Sequence, residues 1–408
     1  MATYESYKDS GVKWLGQIPS HWDTGKMREF FSERKQLSQD GSEMLLSVSE
    51  YSGITPSTND AGENVSRSAS LVGYKKCKAS DLIINIMLAW KRGLGISEYD
   101  GIVSPAYCVF GTHNINPRYA NYLLRTDLYT AEFKRNSTGI IESRLRMYPD
   151  DFKNIVCIKP PKDEQEAIVA YLDKVTGDID RAIEAQQKMI DALNERKQII
   201  ITRAVTRGLN PDAPLRDSGI DWLGQIPEHW SIRKIKYFAR LRSGKNLTSE
   251  QITPDKQENL FPVFGGNGLR GYYTKYNTDG EFAIIGRQGA LCGNINYAVG
   301  QFWATDHAVV CTPIFDYPLL WFGETLKVAN LNQYATQSAQ PGLSVERVKN
   351  VSLPCPPNDE MASIAVYIQK IISDYTPAIN QCERMIFLLQ ERKQIIINEV
   401  VTGKTKVI

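Results

Sequence analysis

The chain has few histidines, only four, and no cysteine pair at C-x-x-C spacing. The histidines, at 21, 113, 229 and 307, form no H-x-x-x-H pair, and the seven cysteines, at 77, 108, 157, 292, 311, 355 and 382, are scattered. These spacings exclude the usual zinc motifs and predict reduced thiols packed as small apolar groups. Long apolar runs are lacking too. Stretches such as 82–89 fall well short of the roughly 18 apolar residues a membrane span needs. The opening MATYESYKDSG has no basic-then-apolar signal pattern, so a cytoplasmic protein is expected. An excess of either charge is also missing. The balance of 48 basic against 46 acidic residues gives +2, which neither demands nor excludes nucleic acid, because a local basic groove is enough. What remains is an ordinary globular composition: 408 residues, 42% hydrophobic and 23% charged. It predicts two to four packed units and excludes a disordered, collagen-like or purely coiled-coil chain.

Internal repetition is the strongest signal. Residues 8–22 read KDSGVKWLGQIPSHW and residues 216–230 read RDSGIDWLGQIPEHW, identical at 11 of 15 positions at an offset of 208. A second pair, at an offset of 196, aligns 160–206 with 356–402 at 22 of 47 positions and includes ERKQIII at both 195–201 and 391–397. The chain is therefore a tandem duplication. The segments between the repeats, 23–159 and 231–355, show little mutual similarity. The order is constant, variable, constant, variable, constant. The part missing from the distal copy stands at the N-terminus, a circular arrangement that predicts neighbouring termini.

The second repeat reads as helical. Ile168, Val175, Ala182 and Met189 share one heptad position, and Leu172, Ile179, Gln186, Leu193 and Ile200 another. The distal copy gives Ile364, Ile371, Ala378, Met385 and Ile368, Tyr375, Cys382, Leu389, Ile396. Such a seam is of coiled-coil type. Its occurrence twice favours the two helices packing on each other, antiparallel, over two separate core helices. Asp180 and Thr376 align as N-caps, and Pro377 suits a first helical turn. Each copy is thus expected to hold a short helix, a break near 177–180 or 373–376, and a long helix of roughly 40 Å.

The variable segments read as mixed α/β. The runs 81–90 and 281–289 look like strands, with 102–110 and 303–311 as their pairing partners, and 117–135 alternates at helical spacing. Loops rich in Gly, Asn and Ser, such as STND (57–60) and GGNGLRGYY (265–273), are many.

No catalytic constellation emerges. FGGNG (264–268) matches a short methyl-donor-binding pattern, but no Asn/Asp-Pro-Pro-aromatic motif accompanies it, and a glycine-rich turn is the better reading. GKT (403–405) lacks the upstream glycine of a phosphate loop, and PDDFK (149–153) is too cramped for two metal-binding carboxylates. The positive signal is cationic and amide side chains in the variable parts. Lys75, Lys76 and Lys78, Lys91 with Arg92, Arg144 with Arg146, Arg240 with Arg242 and Lys245, and Arg270 with Arg287 form clusters. Asn267, Gln288, Gln337 and Gln340 stand beside glycine-rich turns. Cations neutralise phosphates, whereas Arg on guanine and Asn or Gln on adenine read bases. Any one such residue taken alone is more often a solvated surface charge.

The DSG-x-x-W-L-G-Q-I-P-x-H-W motif at 9–22 and 217–230, followed by PP-x-x-E-Q and ERKQ at 160–198, resembles the specificity subunit of type I restriction–modification enzymes over the full length. The distal copy departs in carrying Met361 where the first has Gln165. GGNGLRGYY also resembles a target-recognition string of that family. The resemblance implies an α+β fold. Two mixed α/β target-recognition domains, 23–159 and 231–355, would be separated by two long antiparallel coiled-coil helices within 160–208 and 356–408, in pseudo-two-fold relation. Residues 1–22 would complete the circular repeat, and 209–230 would form a linker with the second motif. It also implies a chain that is not itself an enzyme. Each domain would read half of a bipartite, asymmetric DNA site, and the helices would set the spacer. Leu172, Ile179, Leu193, Ile200, Ile368, Tyr375, Leu389 and Ile396 would serve helix packing or partner docking. Two adenine-methyltransferase subunits and two motor/nuclease subunits would bind the chain. S-adenosylmethionine, ATP and Mg would belong to those partners, leaving no cofactor or metal on this chain.

Overall fold

A computed structural model describes residues 3–57, 71–289, 291–336 and 342–407. The chain forms two compact units: residues 1–186 with 384–408 (unit 1), and residues 187–383 (unit 2). Both unit boundaries fall inside long helices.

Unit 1 is built on a four-stranded antiparallel sheet in the order Phe31–Glu33, Tyr107–Thr112, Leu82–Asn85, Leu94–Ile96. The apolar run expected at 81–90 thus supplies a strand only over its first part, and it pairs with 107–110 as expected. The helical stretch at 117–135 is two helices, α1 (Pro117–Leu124) and α2 (Asp127–Arg135). Local chemistry explains the split. Asn116 Oδ1 caps α1 by accepting the Arg118 and Tyr119 N–H groups, and Pro117 fills the first turn. Thr126 then caps α2 through the Tyr129 N–H. A short helix, α3 (Pro149–Asn154), follows. Phe31, Phe110, Phe133 and Phe152 stack within the core, with ring centres 5.0–6.1 Å apart in contacting pairs.

The first long helix, α4 (Lys162–Arg207), runs unbroken for 46 residues. In unit 1 its Ile168, Leu172 and Ile179 share a core with Ile396, Ile397, Val400 and Val401 from the end of the last helix.

Unit 2 carries a six-stranded sheet in the order Ala239–Ser243, Ala308–Pro313, Thr278–Gly286, Ile295–Ala304, Phe261–Gly265, Gly268–Tyr273. All its pairings are antiparallel except that of Phe261–Gly265 with Ile295–Ala304. Helices α5 (Leu319–Val328) and α6 (Val345–Lys349) cover one side. A second, small core of Ile284, Phe302, Ala304 and Val310 fills the other. The last helix, α7, spans Asn358–Val401. Its Met361, Ile364, Ile368 and Ile371 pack with Ile201, Ala204 and Val205 of α4.

The structure corrects the expected helix breaks. Neither helix is interrupted near 177–180 or 373–376, and Pro377 lies inside α7. Proline there removes the bond to the Ser373 carbonyl, but that face is exposed, so solvent can serve the carbonyl. Thr376 does not cap; its hydroxyl donates to the Ile372 carbonyl at 2.7 Å. Asp180 does not cap either. Its carboxylate takes the Lys393 ammonium at 2.6 and 2.7 Å. The apolar seam also departs from a strict heptad. Met189 and Met385 are exposed, whereas Ile190 and Ile201 are buried and Leu193, Ile200, Tyr375 and Leu389 are half-buried. A straight helix drifts by about 20° per heptad against a seven-residue repeat, so positions far from the ends rotate out of the seam.

Candidate nucleic-acid interface

At one end of the unit 2 sheet, four turns converge. Their backbones are tied directly: Lys245 N–H donates to Ala304 O at 3.0 Å, Gly286 to Asn294 at 2.8 Å, Arg287 to His307 at 2.9 Å and Thr305 to Phe264 at 2.9 Å. FGGNG is the turn between Phe261–Gly265 and Gly268–Tyr273. It lies so close over its neighbour that a Cβ at Gly286 would meet the Gly266 carbonyl oxygen at 2.0 Å. Glycine is needed at Gly286 because two backbones touch there.

This convergence gathers most of the side chains singled out in 231–355. Arg242 and Lys245 line one small cavity of about 150 Å3 with Asn277, Thr278 and Thr312. Asn267 is exposed and accepts a bond from Asn294 Nδ2 at 2.9 Å. Arg270 is exposed, reaching Ser249 Oγ at 3.4 Å, and Gln288 is exposed beside it in the sequence of turns. Arg287 is half-buried, with Nε on the Leu343 carbonyl at 3.3 Å, so it is less free than its neighbours. Gln337 and Gln340 lie outside the described residues, as do positions 58–60 of the STND loop. Sequence reasoning missed Asn294, Asn296 and His307. Asn296 Nδ2 is buried without a partner among the described residues, and no periodicity marks such a group.

In unit 1 the cationic clusters divide. Lys75 donates to the Tyr107 carbonyl at 2.6 Å and Lys76 pairs with Glu43 at 2.5 Å. Arg92 is held by the Arg125 carbonyl at 3.1 Å and by Asp127. Arg125, which sequence reasoning passed over, is bound by the carbonyls of Glu50, Tyr51, Arg92 and Leu94. Burial and the nearby Arg92 lower its pKa. These groups staple the fold. Lys91, Arg144 and Arg146 are different, because all three are exposed. Lys91 and Lys134 both lie over the Trp90 ring, at 4.8 and 5.2 Å. The segment 138–146 is closed by paired backbone bonds between Thr138 and Arg146, at 2.9 and 3.0 Å. Its tip presents Ile140, 102% exposed, and Ile141, 50% exposed. Hydropathy pattern could not distinguish this fully exposed isoleucine from a core residue.

The repeated H-W dipeptide has a defined role. Glu164, in the first turn of α4, accepts bonds from the Trp22 indole at 2.8 Å, the Tyr4 hydroxyl at 3.1 Å and His21. Glu360, in the first turn of α7, accepts the Trp230 indole at 2.9 Å and His229. Burial alone would raise the Glu164 carboxyl, but the bonds from His21, Trp22 and Tyr4 outweigh it and hold the pKa below 4.5. Each indole also packs under a left-handed glycine at the other helix's end. A Cβ at Gly403 would sit 3.0 Å from Trp22, and one at Gly208 would sit 3.1 Å from Trp230. Tyr7 donates its hydroxyl to the Gly403 carbonyl at 3.2 Å, joining the first strand to the end of α7.

Six of the seven cysteines are buried and none is bonded to another. Among the described residues, no group of three or more His, Cys, Asp or Glu could hold a metal ion, and no helix is long and apolar enough to cross a membrane.

Residues 227–384 match the type I restriction modification DNA specificity domain. The chain is 40% identical over 147 residues to the type I restriction enzyme EcoprrI specificity subunit of Escherichia coli, covering 36% of each. It is 25% identical over 253 residues to the MjaVIII specificity subunit of Methanocaldococcus jannaschii, covering 59% of this chain and 54% of that one. The chain therefore spans only about a third to a half of these relatives' lengths. A putative type I specificity subunit of the same archaeon, MjaX, aligns over 98% of both chains at 22% identity. A solved chain from a study of complex assembly and conformational transition in the type I R-M system shares the fold, with a TM-score of 0.65 at 15% identity over 94% of this chain and 98% of that one. Residues 227–384 thus resemble a type I restriction–modification DNA specificity domain, and the chain is similar to specificity subunits of such enzymes over the shares given.

Proposed function

We propose that the chain gives a type I restriction–modification complex its DNA sequence specificity, each variable module reading one half of a bipartite, asymmetric site. The observation that carries this reading is the pairing of unlike modules with like anchors. Residues 23–159 and 231–355 fold on different sheets, four-stranded and six-stranded, yet each is attached through the same Trp–His–Glu contact to a long helix. Different sheets suit different sequences. Identical attachments suit one common partner surface met twice.

The two long helices then set the unread spacer. Half-sites one duplex turn apart lie roughly 34–36 Å from each other. The repeated ERKQIII segments carry no module-specific information, so they serve helix packing or the docking of two adenine-methyltransferase subunits. Through these, two ATP-dependent restriction subunits would join in the cytoplasm. Methyl transfer, with the adenine flipped from the stack, and the use of S-adenosylmethionine, ATP and Mg belong to the partners. The chain itself contributes recognition.

The exposed cations Arg242, Lys245 and Arg270 in unit 2, and Lys91, Arg144 and Arg146 in unit 1, are the contacts this reading uses first, with Asn267 and Gln288 at base edges. Methylome sequencing of a host carrying this chain with its modification subunit tests it. The expected result is adenine methylation at one split motif. Methylation at a continuous motif, or none that depends on this chain, would overturn it.

A further inference from the structure

The two copies of the helix anchor are filled differently. In unit 1 the Tyr4 ring lies beside His21 and Trp22, with ring centres 5.6 and 5.7 Å away. Its hydroxyl donates to Glu164, and the residue is 8% exposed. The repeat offset of 208 puts Asp212 at the corresponding position. The surrounding backbone is equivalent. Ser20 N–H donates to Ser6 O at 3.0 Å, as Glu228 N–H does to Pro214 O at 2.9 Å, and the flanking strand pairs share one register. Asp212 is exposed. In place of the Tyr4 ring, unit 2 has a cavity of about 300 Å3 bordered by Gly208, Leu209, Pro227, His229, Glu360 and Ile364. The Glu360 side chain is correspondingly more open, 35% exposed against 19% for Glu164.

We infer that this cavity receives a tyrosine side chain presented by another protein chain, its hydroxyl donating to Glu360 as that of Tyr4 donates to Glu164. Size allows it, since a cavity of about 150 Å3 already holds a benzene ring. Chemistry selects it. A carboxylate oxygen can accept two donors, as Glu164 Oε2 does from Trp22 and Tyr4. A phenylalanine would cover Glu360 without donating to it, leaving the second acceptor position of Oε2, beside the Trp230 bond, unused. An acidic group would meet Glu360, and a lysine would meet Arg207 on the cavity wall. A neutral ring with one donor suits the site best. Because only one of the two anchors has this cavity, a partner using its tyrosine would dock differently on the two copies.

The test uses the full chain labelled with 15N-tryptophan and N-acetyl-tyrosinamide as the probe. The Trp230 indole resonance should shift saturably, and the Trp22 resonance should not. N-acetyl-phenylalaninamide should act at several-fold higher concentration. Asp212→Tyr should abolish the response and raise the melting temperature of unit 2. Tyr4→Ala should add a response at Trp22 while that of Trp230 persists. Equal responses of Trp22 and Trp230 in the unaltered chain, no saturable response of Trp230, or an Asp212→Tyr chain that still responds would each overturn the assignment.

Discussion

At the scale of single residues, Glu164 joins one end of a helix to the duplicated motif through three donors. Charge-assisted bonds of this kind contribute about 1.5–3 kcal/mol when a partner is removed, so Glu164→Gln should lower the stability of unit 1 by about that much in urea unfolding at neutral pH. The folded-state pKa of Glu164 lies below its ordinary value of 4.5. Its contribution is therefore complete above about pH 4.5 and is lost as pH falls through the depressed folded value. The unaltered chain should lose stability over that acid range more steeply than the Gln variant, and parallel curves would sink the assignment. Ile140 supports a second expectation. If it contacts DNA, burying its side chain is worth enough that Ile140→Ala should weaken binding about tenfold, read by gel shift with the modification subunit. Arg144→Ala should instead reduce the salt slope by about one, the mark of a phosphate contact. Spacing alone grouped Lys75, Lys76 and Arg92 with Arg144. Only the fold shows that the first three are engaged internally, because their partners Tyr107, Glu43 and Asp127 lie 32–35 residues away in sequence.

At the scale of elements, the strands and helices were legible wherever a local rule operated. Asn116-Pro117 starts a helix because the side chain caps and the ring presets φ. The same rule misplaced a boundary at Thr376-Pro377, where the packing of Ile368, Ile371 and Ile379 keeps α7 continuous. Proline costs about 3 kcal/mol relative to alanine within a helix, offset by about 0.4–1 kcal/mol from stiffening the unfolded chain. Pro377→Ala should therefore stabilise the chain by about 2 kcal/mol in denaturant titration. No gain would mean that the packing around residue 377 already offsets the cost of proline there. Met189 and Met385 were misplaced in the seam for a related reason: a strict heptad count ignores the drift of 3.6 residues per turn over helices of 46 and 44 residues.

At the scale of the whole molecule, the modular reading makes two further predictions. Exchanging 231–355 for the same segment of a relative should change one half of the methylated motif and leave the other intact, as methylome sequencing would show; changes in both halves would contradict independent modules. Inserting one heptad into α4 should lengthen the unread spacer while keeping both half-motifs. An unchanged spacer would remove the helices from that role.

The sequence by itself determined the duplication, the two unlike modules and the helical character of the repeats, because identity between copies and periodicity within one are read along the chain and need no contact in space. It also set the Trp–His–Glu parts of both anchors, though not their contact. Tertiary structure decided which cations remain exposed, where the helices continue, and that one anchor is filled by Tyr4 while the other is open. Those outcomes depend on residues far apart in the chain meeting in space, and on whether burial supplies each polar group with a partner.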